Sequence, residues 1–231
     1  MNKKILEMLK LQRELNDSTN GLGWEKGITK NGKRIDWRRC IYIEAVELID
    51  SYPWKHWKDI NALPDYENIK IEIVDIWHFV MSEVLRIYKI DNLGSIEDIA
   101  KMINNLTIFN EFKIKKSNKD EDILDIYKEI EVVENMIRAT ICQKNNIAEI
   151  LEAFFRMATI LNLSLDELYK LYIGKNILNQ FRQNNGYKSG TYIKNWNGQE
   201  DNVIMQTILN QNSDISPKEL YEKLNELYPT K

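Results

Sequence analysis

Turn-forming residues are scarce in this chain: four prolines and nine glycines are spread over 231 residues. The many tight turns of an all-β fold need more of both. Long runs rich in Leu, Ile, Glu and Lys point instead to helices. The fold class expected is therefore all-α, a helical bundle with enough chain to bury a real core.

Composition then narrows the function classes. The formal net charge is −3, which gives no basic footprint for a nucleic-acid polymer. Cys40 and Cys142 are too few and too far apart for a disulfide framework, and neither has zinc or redox CxxC spacing. The N-terminal MNKKILEMLKLQRELND lacks the uninterrupted apolar core of a signal peptide. No stretch approaches ~18 consecutive apolar residues, so no membrane span is expected. A reduced, cytoplasmic protein is the reading.

Periodicity predicts a first helix over 2–16, with Ile5, Met8, Leu9, Gln12 and Leu15 on one side. The run Asn16-Asp17-Ser18-Thr19-Asn20-Gly21 is a stop signal by composition, and the glycine-containing stretch 18–34 reads as loop. Asp36 can cap a second helix ending near Ser51, before Pro53. Pro64 and Asp65 introduce a third, 66–89, followed by a polar break at 91–95. Amphipathic helices fill 96–144, separated by the charged run KIKKSNKDED (113–122). Helices over 145–161 and 165–183 follow, the latter capped by Ser164. Residues 184–202 are rich in Gly, Asn, Tyr and Lys, and a last helix, 217–227, starts at Ser216-Pro217.

Four carboxylates keep unusual company. Helix two reads Cys40-Ile41-Tyr42-Ile43-Glu44-Ala45-Val46-Glu47-Leu48-Ile49, apolar on nearly every side apart from its two glutamates. A helix apolar all round is a buried helix, so both glutamates are expected inside. Their i, i+3 spacing makes them neighbours on one face. Helix three repeats the arrangement, with Ile69, Ile71, Ile73, Val74, Ile76, Trp77 and Val80 around Glu72 and Asp75. An uncompensated buried carboxylate costs on the order of several kcal/mol unless it is protonated, paired or metal-bound. Four carboxylates on two facing helices form a hard-oxygen set that suits Mg²⁺ or Mn²⁺. Glu131/Glu134 and Glu149/Glu152 share the spacing but lie in charged or mixed stretches, where a solvated face explains them. Di-iron chemistry would need a Glu-x-x-His motif from each of two helices, and His56 and His78 are the two histidines of the chain. Zinc is equally poorly served.

Residues 175–202 gather Lys175, Arg182, Lys188 and Lys194 with Gly186, Gly190 and Gly198. Glycines let backbone amides approach an anion, and the cations suit phosphate oxygens. No GxxxxGK[ST] run occurs. Beside a carboxylate–metal site, this segment completes a polyphosphate-binding set.

The segments EAVELIDSYPWKHWK (44–58), EIVDIWHF (72–79) and RQNNGYKSGTYIKNWNGQEDN (182–202), with LQRELN near the start, resemble the dimeric all-α dUTPases. These belong to the wider all-α nucleotide pyrophosphatases. The aromatic SYPWKHW and the GYKSGTY…EDN segments are the more specific part, and residues 91–145 match nothing recognisable. The resemblance implies that Glu44, Glu47, Glu72 and Asp75 hold two or more Mg²⁺ ions, with Glu47 or Glu44 also orienting the attacking water. It implies base-side roles for Gln12, Asn16, Trp54, His78 and Phe79. Lys175, Arg182, Lys188 and Lys194 would bind phosphates, supported by Asn179, Tyr187 and Asn202. His56 stands where the family has another aromatic.

The same resemblance implies a homodimer acting on dUTP. A core of residues 1–90 and 146–231 would carry the metal and phosphate sites, and a smaller helical part, 91–145, would be mobile. Hydrolysis to dUMP and pyrophosphate then needs no nucleophilic side chain: water activated by Mg²⁺ attacks the α-phosphate. Whether dUDP is also cleaved stays open. A related pyrophosphatase acting on dCTP or on mixed nucleotides is the competing enzyme reading. A helical interaction protein with salt-bridged carboxylates is the non-enzymatic one.

Overall fold

The computed structural model describes residues 2–59, 61–115, 125–142, 146–212 and 214–229. The expected all-α class holds: ten α-helices and a single two-stranded hairpin occur among the described residues. The chain packs as two compact units, residues 1–168 and 169–231.

In the first unit, α1 (Lys3–Asn20) leads through a 3-10 turn (Trp24–Lys26) to α2 (Trp37–Asp50) and α3 (Tyr66–Ile90). The Asp36 carboxylate accepts from the Arg39 N–H at 3.1 Å and that of Asp65 from the Asn68 N–H at 3.0 Å, capping α2 and α3 where the sequence places their starts. Next come α4 (Ile96–Asn105), α5 (Thr107–Ile114), α6 (Ile126–Cys142) and α7 (Ile147–Ile160). Most of the charged run, 116–122, lies outside the described residues. Helix α2 packs on α3 and α6, and α3 also meets α1 and α7. The core has Trp77 stacked on Phe154 at 4.7 Å, with Phe155, Phe109 and Phe112 around it. Each such buried ring stabilises by roughly 1.5–3 kcal/mol.

Helix α1 overruns its predicted end by four residues. The polar side chains that read as a stop are used in tertiary bonds: Asp17 accepts from the Trp24 indole at 2.9 Å and Asn16 donates to Ser82 at 3.0 Å. Gly21, at φ +90°, ends the helix, its N–H bonding the Asp17 carbonyl.

Helix α8 (Leu165–Asn184) runs from the first unit into the second, which also holds β1 (Asn195–Trp196), β2 (Gln199–Glu200), α9 (Asp201–Gln211) and α10 (Pro217–Leu227). Phe181 is its aromatic hub, against Tyr192, Trp196, Tyr221 and Tyr228. The sequence reading has no helix at 201–211; α9 exists because it buries Met205, Ile208 and Leu209. Gly174 makes room for it, since a Cβ there would lie 2.7 Å from a Leu209 methyl.

Candidate active site

Three of the four singled-out carboxylates converge. Glu44 from α2 and Glu72 and Asp75 from α3 each bring one oxygen within 4.8 Å of the others. Glu72 is buried, and the Asn68 amide donates to it at 3.2 Å and to Ser51 Oγ at 2.8 Å. Like charges at this spacing repel, and three hard oxygens from a rigid helix pair fit a divalent cation. The neighbouring Cys40 thiol is pushed up to about 11, first by burial and then by the Glu44 charge, so it stays protonated.

Glu47 is not in this group. It is exposed, and so is much of the outer face of α2, with Ile43 and Val46 at 45% and 49%. The expectation that α2 is buried on all sides is therefore corrected. Trp37, Ile41, Ala45 and Leu48 form its inner face, and Glu44 lies at that face's edge. Three residues along a helix leave two side chains about 60° apart around its axis, and that step carries Glu47 past the edge where Glu44 lies.

One turn further along α3 lies a buried polar network. His78 Nδ1 meets the Gln12 Oε1 atom at 2.6 Å, and Gln12 Nε2 donates to Asn16 Oδ1 and Ser82 Oγ, both at 3.1 Å. Asn16 Nδ2 donates to Ser82 Oγ at 3.0 Å, and Ser82 donates to the His78 carbonyl at 2.8 Å. All four side chains are at most 3% exposed. Gln12, Asn16 and His78, to which the resemblance gives base-side roles, thus lie in one network. Trp54 is held elsewhere, its indole donating to Asp50 at 3.0 Å, its ring under the Lys55 ammonium and edge-on to Trp57. Phe79 stacks on Trp37 at 5.9 Å.

In the second unit the cations are organised around an acid that sequence reading passed over. Arg182 donates through Nε and Nη2 to the two oxygens of Asp201 at 2.8 and 2.7 Å, and Tyr192 adds a third bond at 2.8 Å. Arg182 also reaches Asn179 and Asn202, both at 3.2 Å, and its guanidinium lies 5.8 Å from the Tyr187 ring centroid. Lys175 donates to Asn202 at 2.8 Å. Burial resists ionising Asp201, but Arg182 outweighs it and holds the carboxyl below the usual aspartate range. Lys194 pairs instead with Glu200 at 3.3 Å, and Lys188 is exposed.

Sequence reading also missed Ser82, Asn68 and Glu83. Ser82 had a findable signal, since it stands four residues after His78 on the same helical face. Asn68 had the same spacing to Glu72. Nothing in the sequence marks Asp201 as the partner of Arg182.

A sequence model described as dUTPase matches residues 4–187, which include the carboxylate group, the amide network and α8. No curated protein matches the chain. A divalent metal is typical of the matched family. The match covers well over half of the sequence, and with the all-α fold it shows that this chain belongs to the all-α dUTPase family, enzymes that hydrolyse dUTP.

Proposed function

We propose that the protein hydrolyses dUTP to dUMP and pyrophosphate by attack of water on the α-phosphate, with Mg²⁺ held by Glu44, Glu72 and Asp75. The observation that carries this reading is the convergence of those three carboxylates within 4.8 Å, one helical turn from the buried amide network. Mg²⁺, when bound, would supply charge neutralisation for the triphosphate and activate water. The chain's own residues do the rest. Asn68 fixes the rotamer of Glu72. Glu47 acts from the rim as the water-orienting base, with Glu44 as the alternative. Gln12, Asn16 and His78 recognise uracil, with Trp54 and Phe79 at the base-side margin.

Lys175, Lys188, Lys194 and Arg182 bind the phosphates, supported by Asn179, Tyr187 and Asn202. Arg182 is engaged first with Asp201, so its contribution is as much to hold Asn179 and Asn202 as to offer charge. Cleavage of dUDP by the same site is part of the proposal. Mn²⁺ fits the oxygen donors as well as Mg²⁺ does.

The enzyme is proposed to be a cytoplasmic homodimer in which residues 91–145 form a mobile part against the remaining core. The exposed Ile43 and Val46 on α2 support the dimer, because a helix apolar on nearly all sides and half uncovered in one chain suits a second protein surface. Among the described residues no helix is long and apolar enough to cross a membrane.

Product analysis with each deoxynucleoside triphosphate, with Mg²⁺ and with EDTA, tests the reading. Release of dUMP and pyrophosphate from dUTP alone, abolished by EDTA, is the expected result. Equal cleavage of several nucleotides would retain the metal site and overturn the uracil selectivity.

A further inference from the structure

We infer that Ser82 is a specificity-determining positioning residue: its hydroxyl sets which way the Gln12 and Asn16 carboxamides face, and so which pyrimidine the site accepts. This rests on the proposed uracil role of that network.

A serine hydroxyl has one proton and two lone pairs. The proton of Ser82 is directed at the His78 carbonyl at 2.8 Å, an acceptor that cannot donate. With its proton on that shorter bond, Ser82 accepts from Gln12 Nε2 at 3.1 Å and Asn16 Nδ2 at 3.0 Å, while Asn16 Oδ1 stands further off at 3.4 Å. The amide nitrogens are thereby the nearer atoms to Ser82, and Asn16 Oδ1 makes the longer contact. Gln12 Oε1 is left facing His78, whose Nδ1 must carry a proton to bond it at 2.6 Å. Asn16 Oδ1 is left to accept from Gln12 at 3.1 Å. Turning the Asn16 amide over would set its oxygen against the Ser82 lone pairs and its nitrogen against the Gln12 nitrogen, in a buried site where a lost hydrogen bond is costly.

Orientation is the whole of the chemical difference between the two bases. Uracil presents an acceptor at O4 beside the N3–H donor. Cytosine presents an amino donor at position 4 beside the N3 acceptor, the reverse order. A carboxamide offers one N–H and one C=O side by side and matches either edge by turning over. This network engages one N–H of Asn16, and its Oδ1 accepts from Gln12 with Ser82 Oγ at a longer 3.4 Å, so the second N–H beside that oxygen is what Asn16 offers a base. A site that must refuse cytosine needs that amide locked, and Ser82 is the lock.

The test is kcat/KM for dUTP and for dCTP in Mg²⁺ with wild type, Ser82→Ala, Ser82→Thr and Ser82→Cys. Ser82→Ala is expected to lower the dUTP-to-dCTP ratio about tenfold or more, the scale on which lost hydrogen-bond readout relaxes specificity. Its Mg²⁺-dependent rise in Tm should match wild type. Ser82→Thr, which keeps the hydroxyl, is expected to retain the ratio, and Ser82→Cys to lose it. If Ser82→Ala fails to fold, the Thr and Cys pair decides by itself. An unchanged ratio in a folded Ala or Cys variant overturns the role of Ser82 and leaves the uracil reading standing. A wild type that cleaves both nucleotides alike overturns the uracil reading, and this inference with it.

Discussion

The two ends of the α2–α3 pair use their acids in opposite ways. At one end Glu83, 2% exposed, is clamped by two arginines: Arg38 Nε at 2.9 Å, and Arg86 Nε at 2.7 Å and Nη2 at 3.0 Å. Arg38 also donates to the Thr140 carbonyl of α6 at 3.3 Å. At the other end, eight residues earlier on α3 and so about 12 Å along its axis, Glu44, Glu72 and Asp75 face one another. The chemistry of the side chains is the same and only their company differs. An acid surrounded by guanidinium groups ties helices together and is spent in doing so. Acids gathered on acids offer their oxygens as a donor set for an added cation. A recess of about 520 Å³ opens beside the clamped end, lined among others by Arg34, Trp37, Arg38, Glu83 and Arg86, and none of the predicted site residues lines it.

Neutralising one acid at each end should have the largest and most opposite effects. Glu83→Gln is expected to destabilise the fold by about 3–5 kcal/mol, because it leaves two largely buried guanidinium groups short of their counter-charge. Urea denaturation would measure the loss, and a change near zero would dissolve the distinction drawn here. Glu72→Gln should do the reverse. Activity on dUTP is expected to fall by about two to three orders of magnitude, on the scale of removing one preorganised electrostatic contact. Stability in EDTA should stay level or rise as repulsion is relieved.

Metal titration sharpens the same contrast at lower energy. Mg²⁺ at 100 times its Kd should stabilise the wild type by about 2.7 kcal/mol, read as a rise in Tm. Glu44→Gln and Glu72→Gln should lose most of that rise. Glu47→Gln should keep it while losing activity, because Glu47 stands outside the carboxylate group. A Glu47→Gln variant that no longer responds to Mg²⁺ would return that residue to the ligand set.

Smaller effects come from pH. The Asp201 carboxyl is held down by Arg182 and Tyr192 against its burial. Its contribution is therefore fully present above the ordinary aspartate value of about 3.9 and is lost as pH falls through the lower folded value. Denaturation midpoints between pH 5 and 2 should fall less steeply for Asp201→Asn than for wild type. Glu129 on α6 behaves in the opposite sense, its carboxyl pushed up by burial although the Tyr52 hydroxyl pulls the other way. Stability linked to it is present at low pH and declines as pH rises through the raised value. Glu129→Gln should give the least change of the set, a slight rise in the denaturation midpoint at neutral pH.

Local chemistry was enough to read the helices, their caps at Asp36 and Asp65, and the pairing of Glu72 with Asp75, because each depends on residues three or four apart. The association of Gln12 and Asn16 with His78 was legible only through resemblance, being a contact across 66 residues. Other features depended on what lies opposite in space. Asn16 and Asp17 read as a helix stop, yet Ser82 and Trp24 take up their polar groups and the helix continues. Ile43 and Val46 read as interior, yet α3 and α6 cover only one side of α2. The segment 201–211 carries no helix in the sequence reading but folds as one, with Gly174 leaving space for Leu209. Sequence by itself determined the elements and the residues capable of the chemistry, since propensity and periodicity are local. Which acids meet acids and which meet arginine was decided by tertiary structure alone, because charge acts through distance and distance is set by packing.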